Sequence, residues 1–590
     1  MAPALFVAPH VALTLCLGAL LSCNQSQRMD RLELEAQRII QDQQSRSIGP
    51  AAMSDTQVPT PDAQPKDSLY TYDPATVNTP ARSLDVEAAP PVEVVPYPTI
   101  LDDGTQPDTL RLDLEGIIAQ AIEFAPDYRR EKEDLFLTTL SLIVERHEWG
   151  PRFFSTITGQ VDGTPEAGDN DTALSLIGSL GATQRLPYGG TISAAALVDY
   201  VRFLEQAATS TDNRESQSAE LQFSLDLPLL RGAGKTAATV ETRIQAERDL
   251  IYAVRGFERF RREFFVDLST AYFDLLRRQG QLTNQEVQLR NFESSAELFT
   301  ALAEAGREPY FQAQRAEQRV LRARNSLVRQ QENYVRAIDA LKLRIGIETT
   351  RPVEIIPVTI DVPEILLDTD RSVTIALTER LDLQTEGDLV EDAVRSVLIA
   401  KNQLLPDLDL NADLNLPTDE NLARGGLDFE PGDGDYTVGL TFGVPLDRKI
   451  EYTDYRAALI RLEREQREYQ VEQDRIALEV RRAVRAIEQA RFILQLQERA
   501  VEINERRAEQ IEINERSLGP REVIDVQEDL LDAKNDRDEA ESDLRISILQ
   551  YLLATGQMRI GSDGRWMAPG ELIKPNATED PGLDETPSTS

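Results

Sequence analysis

Residues 408–416 read LDLNADLNL, and here the periodicity of the chain changes from that of a helix to that of a strand. Leucine and alanine alternate with aspartate and asparagine, so one face of a strand would be apolar and the other acidic or amidic. A second alternating run covers residues 436–444, and the two runs are equally long. Roughly 9 to 11 residues let a tilted strand cross a bilayer. The pattern predicts two membrane strands, although alternation alone also fits a soluble sandwich with one wet face.

An earlier part of the chain, residues 151–228, contains four more candidate strands. They cover residues 153–161, 173–183, 191–201 and 221–227. Gly189-Gly190 supplies a turn between the second and the third. This region is much longer than the stretch between the prolines that flank the later pair, so it has room for an extra hairpin. The sequence does not say which of its strands would belong to a membrane wall.

An amphipathic helix is predicted before each strand region. Asp127 precedes Pro151 by the same number of positions as Asp382 precedes Pro406. Both segments carry apolar residues at helical spacing, and each helix is expected to end at its proline. The same order of helix and strands therefore occurs twice, which predicts two internal structural repeats.

A long helical hairpin is predicted after each strand region. Residues 450–518 contain neither glycine nor proline. Two mostly apolar rows at alternating steps of four and three predict coiled-coil seams. The rows are Ile476, Val480, Ala483, Ile487, Ala490 and Leu494, and Leu327, Gln331, Tyr334, Ile338, Leu341 and Ile345. Roughly 70 residues at about 1.5 Å each would make a rod of about 105 Å.

Glycine and proline mark where each rod turns and where it ends. The turns are expected at residues 306–309 and 519–520, and the ends of the return helices at Gly346 and Gly556. Glycine commonly ends a helix because it adopts the left-handed backbone conformation without a steric penalty.

The composition favours extended helices over a compact enzyme core. Aromatic residues make up 6% of the chain and charged residues 28%, a profile typical of coiled coils. The formal net charge of −38 would repel nucleic-acid phosphates. Because arginine is interleaved with glutamate and aspartate, no basic patch emerges, and no nucleic-acid partner is expected.

No constellation of residues supports catalysis. Residues 231–236, RGAGKT, contain the end of a phosphate-binding loop but lack its first glycine. The acidic turns at residues 162–163 and 433–435 have too few ligands for a calcium loop. His147 has no cysteine or second histidine near it in the sequence, so zinc sites and catalytic triads lack their parts. We therefore expect no enzyme activity, no cofactor and no metal site.

Residues 1–22 are almost wholly apolar, and the character of the chain changes at Cys23. This is typical of a signal peptide. Residues 20–23, LLSC, resemble a bacterial lipobox, which makes Cys23 the expected lipidation site and mature N-terminus. The alternatives are a plain signal peptide or a single spanning helix. The segment departs from the usual pattern because it has no lysine or arginine before the apolar run.

Helix, strands and a long hairpin, in that order and twice over, resemble the TolC-like outer-membrane efflux protein family. The resemblance covers about residues 108–558. Its motifs are Ala125-Pro126-Asp127, Leu186-Pro187-Tyr188-Gly189-Gly190, Leu227-Pro228-Leu229 and Leu518-Gly519-Pro520. It implies a mixed α and β fold in which long helical hairpins form an α-barrel. It also implies that three chains with four strands each form one twelve-stranded membrane β-barrel, which would leave no strand edge open in lipid.

The resemblance implies an outer-membrane channel subunit of a tripartite efflux or type I secretion system, lipid-anchored and extending into the periplasm. Its partners would be outer-membrane lipid, two further copies of the chain, a periplasmic membrane-fusion adaptor and an inner-membrane pump. One alternative is an adaptor-like protein, with a single hairpin between glycine-rich lipoyl-like halves. The other is a lipid-anchored coiled-coil scaffold without a pore.

This organisation divides the chain into six parts. They are a signal peptide (residues 1–22), a lipid-anchored flexible segment (23–107), a first repeat (108–346), a linker (347–371), a second repeat (372–558) and a disordered acidic tail (559–590).

The resemblance also implies a gate and a set of docking tips. Matching the tip motif places the gate arginine at Arg521 and the acids that narrow the pore at Asp525 and Glu528, while the family's tyrosine falls at Arg516. A ring of such carboxylates would favour cations. The alternative is that these are solvated charges beside a helix turn. The adaptor would dock at Gly306, Pro309, Gly519 and Pro520. There the alternative is that the glycines serve only the turn geometry.

Overall fold

The structure is a computed structural model that describes residues 25–47, 109–166, 169–205, 215–357, 368–418, 432, 434–514, 520–561 and 566–567. Cys23, Arg516, Gly519 and the expected signal peptide lie outside this part of the chain. The helices are α1 (Gln25–Ser47), α2 (Leu114–Phe124), α3 (Pro126–Glu148), α4 (Ala238–Glu304), α5 (Tyr310–Arg344), α6 (Thr369–Glu379), α7 (Leu381–Asn402), α8 (Lys449–Asn514) and α9 (Pro520–Ala554). The strands are β1 (Leu110–Leu112), β2 (Arg152–Glu166), β3 (Asp169–Arg185), β4 (Thr191–Glu205), β5 (Glu215–Pro228), β6 (Val353–Ile355), β7 (Asp407–Pro417), β8 (Asp435–Gly443), β9 (Arg559–Ile560) and β10 (Trp566–Met567).

Each amphipathic helix predicted before the strands is a pair of helices, so the prediction of one continuous helix was wrong. Between α2 and α3, Ala125 has an extended ψ of 127°, because Pro126 disfavours helical backbone in the residue before it. Between α6 and α7, Arg380 has a ψ of 122° although no proline follows it. Its guanidinium instead donates hydrogen bonds to Asp382 and to the carbonyl oxygen of Ala554, which hold this break in place.

Two long helical hairpins follow the strands, as predicted. The outgoing helices α4 and α8 have 67 and 66 residues, and the return helices α5 and α9 have 35 each. At about 1.5 Å per residue the outgoing helices are about 100 Å long. The return helices end at Arg344 and Ala554, just before Gly346 and Gly556.

The apolar rows on these helices are buried where the helices meet. On α8 the predicted residues Ile476, Val480 and Ile487 are buried, but Val484 takes the place of Ala483, which is half-buried. The row on α5 is buried only toward the C-terminal end of that helix. The seam was therefore predicted correctly in position but not at every residue.

The main hydrophobic core lies at the level of the helix breaks and draws on both hairpins and on α2 and α3. Tyr128 of α3 is an aromatic centre of this core. Its ring centroid lies 5.7 Å from that of Phe257 and 5.8 Å from that of Phe264, both on α4. Paired aromatic rings stabilise a core beyond the area that they bury. This packing fixes the first helices against the long ones.

A charged cluster is buried within the same region of α4. Glu258 accepts from Arg262 at 2.9 Å and forms an ion pair with Arg261 at 3.1 Å, and all three side chains are buried. The two guanidinium groups also donate to the carbonyl oxygens of Gly556 and Ile560. Buried charges are tolerated when they are paired and hydrogen-bonded in this way. The cluster therefore attaches the end of the second hairpin to α4.

Each return helix ends against a helix break. Gly346 and Gly556 have φ values of +73° and +70°, in the left-handed region that favours glycine. A Cβ on Gly346 would overlap the carbonyl oxygen of Phe124, and a Cβ on Gly556 would lie 3.1 Å from that of Glu379. Only glycine therefore allows both the turn and this close packing.

The six long strands form one antiparallel sheet in the order β2-β3-β4-β5-β7-β8. All four candidate strands of residues 151–228 are present, and each is longer than predicted, at 14 to 17 residues. The implied contribution of four strands from each chain therefore does not hold for this sheet, which contains six. The extra hairpin, formed by β2 and β3, is part of this sheet, because β3 is paired with β4 along its length.

The register of the pairs places apolar side chains of all six strands on one face of the sheet. Across the centre, Leu227 is opposite Leu410, which is opposite Leu440. This apolar face includes Phe153, Ile157, Val161, Leu174, Leu176, Leu180, Ile192, Val198, Leu221, Phe223, Leu225, Leu408, Leu414, Tyr436, Val438 and Phe442. A few apolar side chains, such as Phe154 and Leu197, lie on the opposite face. The alternation predicted in two strands thus continues across the whole sheet.

Candidate functional site

The face opposite the apolar one, here called the polar face, is rich in carboxylates. Among the described strand residues its acids are Asp162, Asp199, Glu220, Asp226, Asp407, Asp409, Asp413 and Asp435, and its basic residues are Arg152 and Arg185. A surface with this excess of negative charge attracts cations and repels anions. An aqueous path along this face would therefore prefer cations.

The sheet is fastened to the helices at its base. Arg231, which follows β5, forms a hydrogen-bonded ion pair with Asp407 at the start of β7. The turn between β3 and β4 contains Gly189 and Gly190, with φ values of +91° and +85°. A Cβ on Gly190 would overlap the carbonyl oxygen of Asp226, so this turn packs directly against β5. These contacts join the strands of both halves of the chain where the long helices begin.

The first helical tip lies between α4 and α5. Gly306 has a φ of +68°, and Pro309 is the last residue before α5, with an extended ψ of 137°. Tyr310 and Phe311, the next two residues, are exposed, and the guanidinium carbon of Arg315 lies 6.0 Å from the ring centroid of Phe311. Sequence reasoning placed this tip correctly but did not single out its exposed aromatic pair. Two adjacent aromatic residues directly after the proline of a turn are the sequence signal that it missed.

The second helical tip lies between α8 and α9, and residues 515–519 of it are outside the described part of the chain. α9 begins at Pro520, which is favoured at a first helical position because that N–H has no partner within the helix. Arg521 lies in the first turn of α9, and its side chain is outside the described part of the structure. Its implied role in a gate stays a prediction.

The two implied gate acids meet an arginine that sequence reasoning did not identify. Asp525 and Glu528 lie on one face of α9, and Arg319 of α5 forms an ion pair with both. The contact to Asp525 is 3.8 Å, and the contact to Glu528 is a direct hydrogen bond. Arg319 is one of several arginines on α5, and nothing in its spacing distinguishes it from the others. Its role depends on how α5 packs against the other hairpin.

A small apolar cluster sets that packing. Ile524, the residue before Asp525, is buried against Phe292 of α4 and Ala323 of α5. Because Ile524 packs into this contact, the next residue on α9, Asp525, faces Arg319. The cluster thereby links α9 to both helices of the first hairpin near the tips.

Carboxylates continue along α9 beyond Glu528. Asp529 pairs with Arg507 of α8 at 3.0 Å, while Asp532 lies between Asp529 and Asp536 at helical spacing. Burial, together with the negative charges of Asp536 and Asp529, raises the pKa of Asp532. This stretch of α9 therefore carries a locally concentrated negative charge.

Neither an apolar spanning helix nor a metal-binding cluster occurs in the residues that the structure describes. In those ranges no helix is long and apolar enough to cross a membrane. Within the same residues, histidine, cysteine, aspartate and glutamate side chains do not form a group of three or more that could hold a metal ion.

Several solved structures of outer-membrane channels are similar to this fold. CusC matches with a TM-score of 0.56 and 14% identity, over 76% of this chain and 93% of CusC. OprN matches with a TM-score of 0.55 and 16% identity, over 75% of this chain and 89% of OprN. The chain has the fold of the TolC-like outer-membrane channels. CmeC of Campylobacter jejuni, another outer-membrane channel, matches with a TM-score of 0.54 and 14% identity, over 78% of this chain and 88% of CmeC.

The TolC-like fold implied by the sequence motifs is thus confirmed. The chain spans most of the length of each matched channel, and the matches cover about three quarters of this chain. No protein-family model matches the chain, and no curated protein matches it.

Proposed function

We propose that this chain is the outer-membrane channel subunit of a tripartite efflux or type I secretion system. In this proposal three copies form one exit duct across the outer membrane and the periplasm. The sheet lies in the membrane and the long helices extend from it toward the inner membrane. The protein conducts its substrate and catalyses no reaction.

The observation that carries the proposal is the two-faced sheet. Its apolar face extends across all six strands, and large side chains on it are exposed, including Phe153, Ile157 and Leu440. A water-soluble protein rarely leaves so broad an apolar surface uncovered, whereas lipid would cover it favourably. The acidic polar face would then border water inside the pore.

The long hairpins supply the part of the duct that lies outside the membrane. Both begin at the base of the sheet, where Arg231 and Asp407 join the two halves of the chain. Helices about 100 Å long reach far beyond a hydrocarbon core of about 30 Å. Three copies would place their hairpins side by side as a helical tube.

At the far end of this tube we propose a gate formed by Arg521, Asp525 and Glu528. Two carboxylates from each of three copies would converge on the pore axis and attract cations. Arg319 partly neutralises this charge and holds α9 against α5. Opening the gate would require the hairpins to separate at this contact.

The tips are proposed to bind a periplasmic membrane-fusion adaptor, which in turn binds an inner-membrane pump. Gly306 and Pro309 lie in the first turn, and the sequence places Gly519 and Pro520 at the second. The exposed rings of Tyr310 and Phe311 offer the apolar contact that an adaptor tip would cover. Aromatic residues are enriched in protein–protein interfaces for this reason.

Lipidation of Cys23 is the proposed anchor of the N-terminal segment. Replacing Cys23 with serine removes the thiol that would carry the lipid. We expect the mature wild-type protein to incorporate a labelled fatty acid and the variant to incorporate none. Equal labelling of the two proteins would reject Cys23 as the site.

Planar-bilayer recording of purified protein tests the function as a whole. A channel gives discrete conductance steps, whereas a periplasmic adaptor or a coiled-coil scaffold gives none. The adaptor-like alternative is the weaker one, because the described residues contain two hairpins and an antiparallel sheet of six strands. Absence of conductance from well-assembled protein would reject the proposal.

A further inference from the structure

We propose that all six strands of each chain belong to the wall of the membrane barrel, with β2 of one copy paired to β8 of the next. Six strands from each of three copies would make a wall of eighteen strands instead of twelve. This inference rests on the proposed channel function. It concerns the width of the pore and the edges through which the copies meet.

The extra hairpin cannot leave the wall without breaking the sheet. β4 is paired with β3 from Thr191 to Glu205, and on its other side with β5 from Thr191 to Arg202. A chain that contributed only β4, β5, β7 and β8 would need the β3–β4 pairing to open along its whole length. Lipid offers no hydrogen-bond partner to the backbone groups that such an opening would expose. The sheet is therefore expected to enter the membrane intact.

The extra hairpin is also attached to the helices, at the same end of the sheet as the other strands. In the turn between β3 and β4, the carbonyl oxygen of Tyr188 accepts from the N–H of Gly234, just before α4, at 2.8 Å. At the end of β3, Arg185 forms an ion pair with Glu148 of α3 at 2.6 Å. All six strands therefore start or end where the helices begin.

The two edge strands of the sheet, β2 and β8, have the direction and the faces needed to pair between copies. Among the described strands, β2 and β8 each have one neighbour. β2 leads away from the helices and β8 leads back to them, so the two would pair antiparallel, like every other pair in the sheet. Phe153 on β2 and Tyr436 on β8 are 80% and 79% exposed, and both lie on the apolar face. A second copy of the chain would cover both edges and continue that face.

Several neighbouring registers keep the two faces intact. Apolar side chains occupy odd-numbered positions on β2 and even-numbered positions on β8. Pairing Thr156 with Thr437, Gly439 or Thr441 therefore places polar-face residues opposite each other in each register. A slip by one residue would instead reverse one strand's faces.

The expected consequence is a wider pore. With strands about 4.8 Å apart and tilted by about 40°, twelve strands give a backbone radius of about 12 Å and eighteen give about 18 Å. The cross-section would more than double. The duct would then be broader in the membrane than a wall built from four strands of each chain.

Cysteine cross-linking tests the pairing. Thr156→Cys is combined in turn with Thr437→Cys, Gly439→Cys and Thr441→Cys in the full chain, and the protein is oxidised in membranes. Disulfides need Cα atoms about 4.4–6.8 Å apart, so only adjacent strands cross-link. We expect covalent oligomers, about tenfold above the single-cysteine variants, in at least one of the three registers.

Leu197→Cys is the matched control on β4. Leu197 lies at the level of Thr156, because both are opposite Ser179 of β3, and it lies on the same face. Combined with the same β8 cysteines, it should give no covalent oligomer. Cross-linking from Leu197 but not from Thr156 would mean that β4 is the edge of a four-stranded contribution, and would overturn the inference.

Conductance of the same preparations separates this inference from the channel function. Protein that conducts but forms no β2–β8 cross-link in any register contradicts the eighteen-stranded wall and leaves the channel standing. Protein that neither assembles nor conducts contradicts both. An electron-microscopy map of the detergent-solubilised oligomer gives a second measure. A wall radius of about 18 Å is expected there, and a radius of about 12 Å would contradict the inference.

Discussion

Arg319 of α5 and Glu528 of α9 form an ion pair that bridges the two hairpins near their tips. The same guanidinium lies 3.8 Å from Asp525, so one arginine serves both implied gate acids. The first hairpin thereby contacts the two acids that we propose as part of the gate. A gate read from the second tip alone would miss this contact.

Removing Arg319 should increase the negative charge of the gate. With Arg319→Ala, both carboxylates lose their cationic partner, and we expect Mg²⁺ to block the channel at about tenfold lower concentration. Bilayer recording with increasing Mg²⁺ measures this. Arg324→Ala is the control, because Arg324 pairs with Glu293 within the first hairpin, and its block should be unchanged.

Removing the acids should have the opposite effect. The double variant Asp525→Ala with Glu528→Ala is expected to raise conductance or to weaken the block by multivalent cations. In the proposed gate these carboxylates would attract the cations in the wild type, and the ion pairs with Arg319 are lost with them. Unchanged current and block would reject the gate assignment.

The polar face of the sheet should set the ion selectivity of the pore. Asp409→Asn with Asp413→Asn removes two charges from each chain without a large change of volume. We expect the reversal potential in a KCl gradient to move toward zero, because the excess of cations in the pore falls. Asn415→Ser, a neutral change on the same face, should leave it unaltered.

The close packing at Gly346 predicts a large cost for the smallest side chain. Gly346→Ala places a Cβ against the carbonyl oxygen of Phe124 and forces alanine to a positive φ, which should lower the free energy of unfolding by about 2 kcal/mol or more. Thermal unfolding of the solubilised protein measures the loss. Gly256→Ala is the control, since that glycine is exposed in α4 with open space around it, and it should be neutral or stabilising.

Acid should weaken the second helix break through Asp382. Burial alone would raise the pKa of Asp382, but hydrogen bonds from Arg380 and the charges of Arg380 and Arg259 lower it below the ordinary value. A carboxylate with a lowered pKa contributes stability above its unfolded-state pKa, and that contribution is lost as the pH falls through the folded-state value. We therefore expect this contribution to begin to fall at about pH 4, the ordinary pKa of an aspartate, and to be lost at lower pH.

Asp382→Asn tests that assignment. The variant should lose about 3 kcal/mol of stability at neutral pH, because the buried Arg380 keeps its charge without this partner. The difference between variant and wild type should shrink as the pH falls. Asp454→Asn, at an exposed position on α8, should track the wild type at every pH, and an equal loss there would count against the explanation.

Much of the fold could be predicted from local patterns. The stretch free of glycine and proline predicted the long helix α8, alternation predicted β7 and β8, and four candidate strands were placed in residues 151–228, because these signals depend on neighbouring residues alone. The break at Arg380 could not be predicted, since it depends on contacts with Asp382 and Ala554 rather than on a proline. Strand order and the partner of Glu528 were equally out of reach, because both join residues far apart in the chain.

The strands of the sheet occur in even numbers between the helices, four in the first half of the chain and two in the second. α3 leads into β2 and β5 leads back to α4, and α7 and α8 flank β7 and β8 in the same way, so every excursion returns to the side from which it started. An additional hairpin leaves the direction of each helix unchanged. In a barrel built from such sheets, the circumference could therefore change during evolution by one hairpin at a time, while the helical tips at the opposite end of the molecule stay the same.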